Sequence, residues 1–155
     1  MIRMTRQTDY GIVLLTCMAS HTDRQVHAAR DLAGEAHLSL PMVSKILKVL
    51  VRKGLLISHR GVKGGYALAH HPEKITMSQI ISAIEGPVAM TTCSADAPGC
   101  CEKEPLCPVS SNWQRINQAV RMALERITLM EMTRPLPPQL LTLGGQGDLQ
   151  GVGAR

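Results

Sequence analysis

The stretch LSLPMVSKILKVLVRKGLLISHRGVKGGYALA, residues 38–69, decides the fold. Ser39 stands where a helix N-cap belongs, Pro41 is tolerated in a first turn, and Val43, Ile46, Leu47, Leu50 and Val51 recur at helical spacing until Gly54 stops the helix. The opposite face shows Met42, Ser44, Lys45, Lys48, Arg52 and Lys53, basic and free of acids. Residues 55–59 then read as a strand, residues 60–65 (RGVKGG) as a tight turn and residues 66–69 as a returning strand. Arg60 and Lys63 ride on the hairpin tip, and glycines 61, 64 and 65 permit the turn and close approach to a backbone.

Working outward, residues 8–20 predict a helix apolar almost all round (Tyr10, Ile12, Val13, Leu14, Leu15, Cys17, Met18, Ala19), hence a buried central helix with Cys17 as a small core hydrophobe. A shorter helix over 28–36 puts Ala29, Leu32 and Ala33 on one face. Three short helices followed by a hairpin have the order of a winged helix-turn-helix, whose third helix enters the major groove while the wing touches the neighbouring backbone or minor groove. On that reading Lys45, Lys48, Arg52, Lys53, Arg60 and Lys63 neutralise phosphates, and Pro41, Met42 and Ser44 reach base edges or thymine methyls. Ser39 and Gly64 complete the expected DNA-facing set. The competing reading is a small helical domain with a solvated basic face.

Charge distribution separates the two. Residues 1–75 hold eleven Lys or Arg against five Asp or Glu and all six histidines, whereas residues 76–155 hold six against seven. A basic half joined to a neutral half suggests one part that meets a polyanion and another with a different task. The 155 residues suffice for one core plus an appendage, and 45% hydrophobic content excludes wholesale disorder. Aromatics are only Tyr10, Tyr66 and Trp113, which speaks against a β-sandwich and against binders that stack single-stranded bases. No Ser/His/Asp set, paired-acid site or phosphate loop is present, and GVKGG in a hairpin is the wrong context for a dinucleotide fingerprint, so an enzyme is not expected. The opening MIRMTRQTDY lacks a secretory pattern, and no apolar run approaches the roughly 20 residues of a membrane span, so a cytoplasmic location without membrane association is expected.

Downstream, Thr76-x-x-Gln79 is a capping-box pattern opening a helix through Ile80, Ile81 and Ile84 to Gly86-Pro87. Residues 91–108 lose periodicity and carry Cys93-x6-Cys100-Cys101-x5-Cys107. Adjacent cysteines point in different directions, so one metal centre uses three of the four thiolates. Thiolate-rich sites select zinc or iron–sulfur clusters, and without a close C-x2-4-C pair and a nearby His the wide spacing suits the bulkier cluster. Zinc and a metal-free thiol sensor remain as alternatives. A long helix is predicted over 112–132, with Trp113, Ile116, Val120, Ala123 or Leu124, Ile127 and Met130 along one stripe, and residues 134–155 read as a disordered Pro- and Gly-rich tail.

Five stretches in order, TDYGIVLL (8–15), LSLPMVSKILKVLVRKGLL (38–56), SHRGVKGGYALA (58–69), ISAIEGP (81–87) and CPVSSNWQRIN (107–117), resemble the Rrf-two family of bacterial transcription regulators. Within it the chain looks like the iron–sulfur sensors of IscR and NsrR type, nearest a branch that regulates the SUF iron–sulfur assembly genes. The resemblance implies a mainly α protein with a small β-hairpin wing, a winged helix-turn-helix plus a long dimerisation helix. It would be a homodimer on palindromic double-stranded operator DNA, carrying a [2Fe-2S] or [4Fe-4S] cluster. Carried over, the ligands are Cys93, Cys101 and Cys107, with Cys100 as substitute for Cys101, because the first gap departs from the family's spacing. The histidine that IscR-like members place three residues after the last cysteine is here Ser110. Asp9 matches the acid that NsrR-like members supply from the partner subunit, and an acid favourable to the helix dipole explains it equally well. The organisation expected is a reading head over 1–75, a connecting helix over 76–90, a cluster loop over 91–108 and a dimerisation helix over 109–133.

Overall fold

A threonine cap starts the first helix of the protein, seen in a computed structural model that describes residues 4–21, 25–91 and 106–134. Thr5 takes the Thr8 N–H on its hydroxyl at 3.4 Å, and helix α1 (Arg6–Ser20) follows, two residues earlier than periodicity predicts. Thr8, Gly11, Leu14, Leu15, Met18 and Ala19 form its buried stripe. The expectation of a helix buried all round is corrected, since Val13 is exposed on the other side. Helix α2 (Ala29–Glu35) is closed by a bond from Leu38 N–H to the Ala33 carbonyl, with His37 in the left-handed region (φ 53°) at the tight corner before α3.

Helix α3 (Leu40–Arg52) buries Val43, Ile46, Leu47 and Leu50 completely. Ser39 occupies its N-cap position, yet its hydroxyl makes no capping bond. Gly54, at φ +75°, ends the helix as predicted, and Leu55 N–H returns to the Leu50 carbonyl. Strands β1 (Leu56–His59) and β2 (Gly65–Leu68) pair antiparallel with Ile57 opposite Ala67 and Ser58 opposite Tyr66. The wing also has an unforeseen third member. His27 and Tyr66 exchange both backbone hydrogen bonds at 2.8 Å, and a Cβ on Gly65 would lie 2.4 Å from the His27 carbonyl oxygen, so only glycine permits this approach.

A single 3-10 turn (Pro72–Lys74) leads to α4 (Met77–Glu85), which opens with the predicted capping box: Gln79 N–H donates to the Thr76 hydroxyl at 3.3 Å, and Thr76 N–H donates to Gln79 Oε1 at 3.0 Å. Helices α5 (Ser110–Arg126) and α6 (Leu129–Met132) replace the single helix expected over 112–132. Thr128 and Glu131 form a second capping box, which starts a new helix where the apolar stripe alone suggests continuation. The chain at the break is stitched to the head by Met77 N–H to the Ile127 carbonyl (2.9 Å) and Leu129 N–H to the Ile75 carbonyl (2.8 Å). Leu129 is therefore fully buried in one core with Leu14, Leu15, Leu32, Ile46, Leu47 and Ile80. Residues 92–105 and 135–155, with Cys93, Cys100, Cys101 and the predicted tail beyond Arg134, lie outside the described residues.

Candidate nucleic-acid interface

Because α3 commits one face to the core, its other face is presented outward with the wing beside it. Between them lies an open groove of about 770 Å³ lined by Pro41, Ser44, Lys45, Lys48, Arg52 and, from the wing, Ser58 and Tyr66. Five residues singled out in the sequence thus meet in one concavity with no acid on its wall among the described residues. Among the described residues, none of Lys45, Lys48, Arg52, Arg60 and Lys63 is held in an ion pair, so their charge is available to an incoming polyanion. Ser39 and Met42 are exposed at the start of α3, outside the groove lining, as is Lys53 just past the end of the helix. Arg60 and Lys63 are exposed on the hairpin turn, where Gly64 N–H donates to the Gly61 carbonyl at 2.9 Å and a Cβ on Gly64 would strike the His59 carbonyl.

Sequence reasoning missed three residues here. Ser58 and Tyr66 enter the groove only through the strand register, which periodicity of α3 does not report. Val62 stands fully exposed at the hairpin tip between the two cations, an apolar point of the kind that contacts sugars or base steps.

The cysteine segment is bracketed on one helix. Met90 N–H donates to Asn117 Oδ1 at 3.1 Å, and Asn117 is itself buried. At the other end the Cys107 carbonyl accepts from Ser110 N–H (3.3 Å) and from its hydroxyl (3.2 Å). Ser110 and Asn117 lie seven residues apart on α5, about 10 Å along the axis, so the chain leaves and returns over two helical turns. The donor chemistry fits a thiolate-held group: Cys107 is a free thiol, half-buried, at the mouth of this closed span, and the other three cysteines all fall within it. Among the described residues no three His, Cys, Asp or Glu side chains converge on a metal-sized point.

Asp9 is exposed in the first turn of α1. The same end of α1 is tied to the end of α4, where Glu85 Oε1 accepts from Thr5 N–H (2.7 Å) and from the Thr8 hydroxyl (2.6 Å). Those bonds, the Thr8 hydroxyl first, hold the Glu85 carboxyl below the ordinary carboxylate range. Cys17 is partly buried against the core. Burial first, then the charge of Glu35 and a hydrogen bond to it, push its thiol up, so it stays protonated and packs as a small apolar group.

A helix-turn-helix with an adjoining wing and a basic, acid-free groove between them defines a winged-helix DNA-binding regulator. Residues 4–135 match the Rrf2 family model, described as iron-dependent transcriptional regulators. The chain belongs to the Rrf2 family, and the proteins it resembles are regulators, not enzymes. It is similar to Protein rrf2 of Nitratidesulfovibrio vulgaris, 29% identical over 86% of this chain and 88% of that protein. It is also similar to the transcriptional regulator IscR of Pectobacterium atrosepticum, 25% identical over 84% of this chain and 79% of that protein. Among solved structures, CymR, the global cysteine regulator of B. subtilis, superposes with a TM-score of 0.67 at 26% identity, over 86% of this chain and 97% of that one. No helix among the described residues is long and apolar enough to cross a membrane.

Proposed function

We propose that this protein is a cluster-sensing repressor or activator of iron–sulfur assembly genes of SUF type, acting as a homodimer on a palindromic operator. The observation that carries the reading is the cysteine span closed at both ends on α5, a helix whose Ile116 and Met122 remain exposed for a partner. Cys93, Cys107 and one of Cys101 or Cys100 would hold the cluster, with Asp9 of a partner subunit as a fourth donor. The cluster, when bound, supplies a redox-labile anchor that ties the span to α5. The chain's own residues do the rest: Asn117 and Ser110 fix the two ends, and Glu85 carries the end of α4 to the start of α1. On the DNA side Lys45, Lys48, Arg52, Arg60 and Lys63 neutralise phosphates, Ser39 and Gly64 approach the backbone, and Pro41, Met42 and Ser44 read bases. A two-fold dimer sets its two α3 helices about one DNA turn apart, which makes the operator palindromic.

Anaerobic purification tests this directly. A brown protein whose charge-transfer absorption is lost in a Cys93→Ala/Cys101→Ala/Cys107→Ala variant is expected, and a colourless protein after cluster reconstitution overturns it. A second reading, a thiol-responsive regulator with zinc or without metal, draws on the likeness to the cysteine regulator CymR. One zinc and no iron by elemental analysis favours it.

A further inference from the structure

Behind the wing lies a cavity of about 490 Å³ onto which five of the six histidines open: His21, His27, His59, His70 and His71. Met18, Leu68 and Met130 supply apolar wall, and Gln25 adds an amide. We infer that this cavity is an effector site for a small organic carboxylate with an apolar body, and that its occupancy adjusts how the wing meets DNA. The second half of that statement rests on the DNA-binding reading above, whereas the first half does not.

The size falls within the usual range of small-ligand sites, about 300–1,000 Å³, and a mainly apolar wall with a few convergent polar groups is their usual composition. The polar side chains are imidazoles and an amide, groups that carry N–H donors, and among the described residues no Asp, Glu, Lys or Arg lines the space. An acidic ligand group thus meets N–H donors on the wall itself. Two acids stand outside it, Glu35 engaged with His21 Nε2 at 2.8 Å and Glu73 paired with His71 Nδ1 at 3.7 Å. A metal ion is the other natural guest for histidines. Among the described residues, however, no three of the ligating types converge, and the rings of His21 and His27 stand 6.0 Å apart, tilted at 39°. Dispersed donors around an apolar wall suit an extended organic anion better than a point charge.

Strand β2 provides the coupling. Tyr66 lines the α3 groove, while the next residues, Ala67 and Leu68, line the cavity, so β2 borders both spaces. His27 contributes to the cavity wall and holds Tyr66 by two backbone bonds. Met130 brings in α6, which follows α5 and docks on the head. A guest that is bound more tightly in one arrangement of β2 biases the position of Tyr66 and of the Arg60–Lys63 tip by that difference in affinity.

The test uses phenylacetate, phenylpropionate and phenylbutyrate, their neutral primary amides, and Zn²⁺ alone, with the histidine ring proton signals of the full chain as one readout. The second readout is affinity for a duplex selected from a random pool. At least one carboxylate at millimolar concentration should give saturable shifts of the histidine signals, its amide should bind much more weakly, and DNA affinity should change about fivefold or more. Ala69→Phe, which puts a bulky ring on the cavity wall, should abolish the saturable carboxylate shifts. His70→Asn keeps the cavity and should weaken carboxylate binding, which covers the case in which Ala69→Phe fails to fold. No saturable shift with any carboxylate, equal binding of the amides, or tight Zn²⁺ binding alone each overturns the proposal. Carboxylate binding with DNA affinity unchanged overturns the effector role. A ligand-free protein that binds no duplex breaks the DNA-binding reading instead, and the ring signals still decide the cavity.

Discussion

Helix α3 takes four side chains wholly out of solvent within thirteen residues, whereas α5, with seventeen, buries only Asn117 and leaves Ile116 and Met122 each 45% exposed. Both helices are amphipathic in sequence, yet one finds its apolar partner within the chain and the other does not. Helix α3 is therefore held by packing within the chain, and its outward face is free to be basic. The face of α5 has the opposite character, with apolar side chains in solvent and a polar residue inside, pinned to the entry of the cysteine span. One helix completes its apolar packing within the chain, and the other leaves apolar side chains uncovered.

The largest expected effect tests the packing of α3 against that of α5. Leu47→Ala, at a fully buried position, should cost about 3 kcal/mol in urea unfolding, while Ile116→Ala on α5 should cost under about 0.5 kcal/mol of intrachain packing and show itself as weakened self-association in sedimentation. Equal losses at the two positions would break the contrast. On the outward face, Lys48→Ala should weaken binding to any duplex and lower the slope of log affinity against log salt by about 0.9. Ser44→Ala should instead change which bases are preferred, by about 1–3 kcal/mol at one position, and uniform loss across sequences would remove it from the reading set.

Smaller effects probe the seams. Thr128→Ala removes the cap of α6 and should lower the unfolding free energy by about 1 kcal/mol, measured by denaturant titration. Glu85→Gln should be felt only where the carboxyl is ionised. Its pKa is lower folded than unfolded, so its contribution is present above the ordinary glutamate value of about 4.3 and vanishes as pH falls through the folded value. Wild-type and variant stabilities should thus differ slightly at neutral pH and converge in acid, and a gap that widens in acid would contradict the assignment.

Much of this was legible in residues 38–86. A helix with a Pro in its first turn and a Gly at its end, a hairpin with a Gly-rich turn and a Thr-x-x-Gln box are local signals whose physics involves neighbours in sequence, and each element stands where those signals put it. The misses are non-local or masked. The His27–Tyr66 bridge is a single pair without periodicity, created by the absence of a side chain at Gly65. The break at Thr128 is hidden because Ile127 and Met130 continue the stripe of α5, although Thr128-x-x-Glu131 has the same form as the box that was read correctly at Thr76. Among the site residues, the cations of α3 follow from helical spacing, whereas Ser58, Tyr66 and Val62 depend on how the hairpin folds back.

The clamp at Asn117 has a thermodynamic consequence. A free span running from residue 91 to residue 106 would lose about 2.5 kcal/mol of chain entropy when its ends are brought together. Here the bond from Met90 N–H to Asn117 Oδ1 holds the entry of that span to the helix that follows it, so a guest taken up by the thiolates would meet ends already held together. Asn117→Ala releases that hold and would make capture harder without touching a single sulfur atom.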